Sequence, residues 1–205
     1  MEYMQEEEIR DYLRHNIEPF AFSFSEVSFR AAVHLTDGLF LPCVVFRNQE
    51  ERVKQAIKRF RDEQTGRSIY KDPTNGYEEI VKSFVTRGNR LSFSDIASIE
   101  PSQFAFPAYV LNQIVGETTM SWTGFVAKMK DGKLFGFGTE FRFEFFDMPE
   151  NYSVQDIEEI INHSYILKSG ELCLLQEGCR SFPDNYEDAV IYRERTFFNC
   201  YIEGL

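Results

Sequence analysis

The sequence is poor in the residues that carry chemistry. Three histidines and four cysteines are spread over 205 residues. His15, His34 and His163 lie far apart, without an HxH, HxxxH or HxxE partner. Cys43, Cys173, Cys179 and Cys200 never fall at CxxC spacing. Tetrahedral metal sites and redox dithiols need ligands that converge, so the spacing points to no metal and no cofactor. Gly136-Phe137-Gly138 lacks the third glycine and the following helix of a phosphate-binding loop. No stretch approaches the ~18 continuous apolar residues of a membrane span. Met1 to Glu8 is acidic where a secretory leader is basic, and no apolar run follows it. These absences imply a cytoplasmic protein with reduced thiols and no membrane association.

Basic residues are also in deficit. Lys and Arg number 22 against 33 Asp and Glu, a net charge of −11. Residues 1–26 and 140–205 carry −5 and −9, while 27–139 carries +3. A polyanion is repelled by such a surface, which makes nucleic acid an unfavoured partner and a basic protein a favoured one. The exception is 52–90, which holds ten bases against five acids, with Tyr70 and Tyr77 nearby.

Aromatic residues are abundant, with 21 phenylalanines among them. Each buried ring removes roughly 150–250 Å² from water, enough for a packed core without disulfides. The periodicities predict a single α+β domain over 1–205. Its mostly antiparallel, aromatic-rich, curved sheet of hairpins has about six to eight strands, with helices packed on one face. A helix is expected over 4–15, with Ile9, Tyr12 and Leu13 on one side. Asn48 caps a second helix whose stripe is Val53, Ala56, Ile57 and Phe60. A third stripe runs from Tyr77 to Val85, and Pro107 opens a helix reaching about Val115. Ser153 and Asp156 cap one carrying Val154, Ile157, Ile160 and Ile161. Short strands are expected at 91–93 and 104–106, and others at 165–168, 171–176 and 189–202.

Two hairpins are the clearest elements. Asp37-Gly38 joins 27–35 to 39–47, and Asp131-Gly132 joins 118–130 to 133–146. If Asp131-Gly132 is a two-residue turn, Lys130 pairs with Lys133 and Phe125 lies over Gly138. One face is then Met120, Trp122 and Val126 against Phe135 and Phe137. The other exposes Thr123, Glu140, Arg142 and Glu144 as a ladder free for binding. Glu140 and Glu144 stand about 13 Å apart by strand rise, too far for joint catalysis. In the first hairpin, His34 opposite Leu41 sits diagonal to Cys43, with Arg30 on the same face. That is the nearest approach to an activated nucleophile. Asp184, Glu187 and Asp188 precede a strand bearing Tyr192, an acidic and aromatic rim suited to a protein interface. The expected function is a non-enzymatic binding or inhibitory protein, immunity-like, meeting a basic partner. Alternatives are a ligand-binding protein or enzyme with its site at the open end of the sheet, and nucleic-acid binding through 52–90.

Overall fold

The computed structural model describes residues 2–21, 27–64, 89–118, 122–139, 144–174 and 193–205. The fold is α+β, with eleven strands in mostly antiparallel sheets among the described residues. Contacts group the chain into two compact units, Met1–Ser102 with Phe197–Leu205, and Gln103–Thr196.

The first unit is built on β2 (Val27–Leu35) and β3 (Phe40–Asn48), an antiparallel pair. The short strand β1 (Pro19–Ala21) and β5 (Ile96–Pro101) both pair antiparallel with β2. On the other side β11 (Phe198–Ile202) joins β3 in parallel, and β4 (Arg90–Leu91) joins β11 in parallel. The last strand of the chain therefore links β4 to the sheet, an insertion that local periodicity does not reveal. β5 is a further strand the sequence did not signal.

One face of this sheet is a core of Phe29, Ala31, Val33, Val44, Phe46, Leu91, Ile96, Ile99, Cys200 and Ile202. Helix α1 (Glu6–Asn16) covers it through Ile9 and Leu13, one turn apart. The Glu8 carboxylate accepts from the Gln5 N–H at 2.8 Å, and Glu6–Glu8 lie at the positive helix end. The same helix holds the last residues of the chain. Arg10 and Arg14 donate to the Glu203 and Gly204 carbonyls, each at 2.8 Å, and Glu6 accepts from the Glu203 N–H at 2.7 Å.

Helix α2 (Gln49–Gln64) begins where β3 ends, capped by Asn48 Oδ1 accepting from the Glu50 N–H at 3.0 Å. Its expected buried stripe is only partly realised: Val53 and Ile57 are exposed at 49% and 46%, while Ala56 is half-buried. The stripe expected over Tyr77–Val85 lies outside the described residues.

In the second unit β6 (Thr123–Met129) is flanked antiparallel by β7 (Leu134–Thr139) and β8 (Ile157–Asn162). A separate hairpin pairs β9 (Ser164–Ile166) with β10 (Leu172–Leu174). The helix expected after Ser153 is a single 3₁₀ turn, Val154–Asp156, followed by β8. The cap residues form as expected, but β-branched Ile157, Ile160 and Ile161 favour the extended chain that pairs with β6. The Pro107 helix is likewise one turn, Ala108–Leu111. Beyond it the chain is held by Asn162, which accepts from the Val115 N–H and donates to the Gln113 carbonyl. The strand expected at 104–106 is irregular chain whose Phe106 ring enters the core.

Three hairpins share one loop geometry. In each, a glycine N–H bonds back to the residue three earlier: Gly38 to Leu35, Gly132 to Met129 and Gly170 to Leu167. The residue after each glycine then accepts from the residue that starts the loop. The glycines have φ of +93°, +87° and +86°. These are three-residue loops, a type I turn closed by a left-handed glycine, not two-residue turns. The register around Asp131-Gly132 consequently differs by one from the expected pairing. Phe125 pairs with Phe137, Val126 with Gly136 and Gly124 with Gly138. A slip of one residue exchanges faces. Phe125 therefore stacks on Phe137 at 5.3 Å and 6°, and both meet Phe146 edge-on. Phe106 completes this buried cluster.

Trp122 and Gly124 form a second packed detail. The indole ring occupies the space a Cβ on Gly124 would need. The Thr118 hydroxyl accepts from the Gly124 N–H at 2.8 Å and donates to the Gly124 carbonyl at 3.1 Å. Two predictions follow from these glycines. Gly132→Ala should destabilise by about 1–2 kcal/mol through its left-handed φ alone, with Gly132→Asn costing less, as read by thermal unfolding. Gly124→Ala should expel the only tryptophan, seen as a red-shifted emission together with a loss of roughly 1–3 kcal/mol; unchanged emission would contradict the packing.

Candidate functional site

The three-residue loop between β6 and β7 carries Lys130 and Asp131 outward, with Lys133 following. A turn at Glu150-Asn151-Tyr152, where Asn151 takes φ of +67°, faces them. The 3₁₀ turn adds Asp156, and the Lys130 N–H donates to its carbonyl at 2.9 Å. Together these residues line a cleft of about 370 Å³ within the second unit. That volume lies in the lower range of ordinary ligand pockets.

Tyr152 organises the cleft. Its hydroxyl donates a short hydrogen bond to Asp131 Oδ2, its ring meets Phe135 edge-on at 4.9 Å, and the Lys133 ammonium lies 5.3 Å from its centroid. Asp131 Oδ1 accepts from the Lys133 N–H at 3.0 Å. The Tyr152 hydrogen bond, then the Lys133 backbone, hold the Asp131 carboxyl below the usual aspartate range. The Ser153 hydroxyl, then its N–H, do the same for Asp156. Lys133 is shifted upward by its hydrogen bond to Tyr152. Each of these shifts moves a group further from neutrality, so the carboxylates and ammonium stay ionised at physiological pH. General acid–base catalysis needs the reverse, a group brought toward the working pH. The arrangement can hold a charged or strongly polar group by ion pairing and hydrogen bonding.

The described residues among those singled out from the sequence are placed elsewhere. Thr123 is buried, its hydroxyl 3.4 Å from the Gly116 carbonyl, and Glu144 is 7% exposed. Thr123 leaves the expected ladder because the loop geometry turns it to the phenylalanine side, and Glu144 lies in irregular chain beyond β7. Glu140, Arg142, Asp184, Glu187, Asp188 and Tyr192 lie outside the described residues. In the first hairpin the register shifts between Ala31 and Val33, so His34 stands opposite Phe40 instead of Leu41. The His34 ring lies tilted against Phe40 at 4.7 Å, and His34 approaches Glu100 at 3.7 Å. Cys43 is 3% exposed, and Arg30, 4% exposed, lies over Phe20 at 4.4 Å. Burial also pushes the Cys200 thiol up to about 12. Among the described residues no group of three or more His, Cys, Asp or Glu could hold a metal ion, and no helix is long and apolar enough to cross a membrane.

Comparison with protein-family models, curated proteins and solved structures finds no match. The cleft itself was missed from the sequence because its members serve there as turn and cap residues. The signals present were Asp131-Gly132 and Ser153-x-x-Asp156, which read as structure alone.

The cleft electrostatics are testable by carbon-13 NMR titration of the Asp131 carboxyl. Its midpoint should lie below the ordinary value of about 3.9, and Tyr152→Phe should raise it. Because the folded-state value is depressed, the stabilisation is present above the ordinary value and is lost as pH falls through the folded one. A midpoint unmoved by Tyr152→Phe would remove Tyr152 from this role.

Proposed function

We propose that the chain is a non-enzymatic binding protein, immunity-like in acting by association, whose polar cleft receives a cationic side chain from a basic partner protein. The observation that carries this reading is the convergence of Asp131, Glu150 and Asp156 from separate turns on one cleft. Asp131 and Asp156 are held in the ionised form by hydrogen bonds already made within the protein. Lys133 is engaged with Tyr152 and Asp131, which balances part of the acidic charge without filling the space. An incoming ammonium or guanidinium adds charge-assisted hydrogen bonds to carboxylates that need no proton removed. The net charge of −11 accelerates encounter with a basic protein and leaves the association sensitive to salt.

The test uses a lysine- and arginine-rich peptide, titrated calorimetrically into the full chain at low and high salt. Affinity should fall at least roughly tenfold at high salt, and Glu150→Gln with Asp131→Asn should weaken low-salt binding by a similar factor. Equal affinity at both salts, or in the double variant, would overturn the reading.

A further inference from the structure

The sheet face of the first unit that is turned away from α1 carries a second constellation, independent of the cleft. Side chains alternate along a strand, so Cys200 and Ile202 in the core place Asn199 and Tyr201 on the opposite side. The parallel register sets Tyr201 beside Arg47 of β3 and Asn199 beside Arg90 of β4. The Arg47 Nε donates to Asn199 Oδ1 at 3.0 Å. The Arg90 guanidinium lies 5.3 Å from the Tyr201 ring centroid, and that of Arg52, from the first turn of α2, lies 6.0 Å from it. Arg47, Arg52 and Tyr201 are half-buried, and Arg90 is exposed at the edge of the sheet.

Two guanidiniums, from α2 and β4, are thus gathered about one tyrosine in a protein of net charge −11, and Arg47 of β3 is bound to the adjacent Asn199. A guanidinium stacked on a ring uses its face for the contact, while its N–H donors stay in its plane. That plane matches the oxygens of a phosphate, which accept in pairs. A ring contacted by two guanidiniums is poorly placed to stack a nucleobase, so the recognition would be of phosphate and not of base.

We propose that Arg47, Arg52 and Arg90, spaced by Tyr201, form a binding site for a phosphate group, carried either by a small polyphosphate or by a single-stranded nucleic-acid backbone. Tyr201 is a positioning residue here. Its ring sets the spacing of the guanidiniums, and its hydroxyl is not required.

The experiment titrates the full chain separately with inorganic tripolyphosphate and with a short single-stranded oligonucleotide, following amide and arginine side-chain NMR shifts at low salt. Binding of tripolyphosphate should perturb β4, β11 and the start of α2. Arg52→Gln with Arg90→Gln should weaken it at least roughly tenfold, Tyr201→Phe should retain it, and Tyr201→Ala should weaken it. Lys130→Gln with Lys133→Gln, in the second unit, should leave it unchanged. Thermal unfolding of each variant confirms that the fold persists. If the oligonucleotide binds more tightly, with a salt slope reduced by about one for each arginine removed, the phosphate belongs to a nucleic-acid backbone; if tripolyphosphate binds more tightly, the ligand is a small polyphosphate. Absence of tripolyphosphate binding at low salt, or equal weakening by the Lys130 and Lys133 changes, would overturn the proposal.

Discussion

The left-handed glycine at the end of a three-residue hairpin loop is the constraint on which much of this structure depends. Such a glycine adds one residue to the loop without breaking the ladder that follows. Because side chains alternate, that residue decides which of them enter the core. At Gly132 it brings Phe125 onto Phe137 and sends Thr123 and Thr139 to the interior. At Gly38 the same loop is followed by a shift in register, which restores the outer pairing from Ala31 to Ser28. The core face of β2 and β3 is thereby kept although the residues near the turn are displaced.

Each unit then closes on its own core by different means. The first relies on aliphatic residues of a mixed sheet beneath α1, with the chain's last residues bound by Arg10, Arg14 and Glu6. The second relies on phenylalanine rings in stacked and edge-on contact, an arrangement worth about 0.5–1.5 kcal/mol per pair beyond area burial. Trp122 lying over Gly124 shows how tightly that unit is assembled, since the glycine is required by a neighbour's ring and not by its own backbone.

The two polar constellations differ in character. In the cleft at Tyr152, hydrogen bonds push Asp131, Asp156 and Lys133 away from neutrality, an environment for holding charge and not for moving protons. The edge at Tyr201 brings the Arg52 and Arg90 guanidiniums to one ring. Both are made by side chains that have structural duties, as turn residues, caps or strand pairs, and neither contains a spacing that marks it in the chain.

The sequence by itself determined the α+β class, the presence of the first helix (expected over 4–15), the Asn48 cap and the places where the hairpins turn. Each of these depends on interactions within a few residues: apolar spacing, a side chain bonded to a nearby N–H, or a glycine free to take positive φ. It did not determine loop length, because Asp-Gly suits both two- and three-residue turns, and so it misplaced Thr123. Nor did it distinguish a one-turn cap before a strand from a helix at Ser153, since β6 decides that by pairing with Ile157–Asn162. Only the tertiary structure decided that β11 lies parallel between β3 and β4, that Tyr152 reaches Asp131, and that Arg52 and Arg90 meet at Tyr201. Those pairings join residues distant in the chain, and their free energy comes from surfaces that exist only once the sheets have formed.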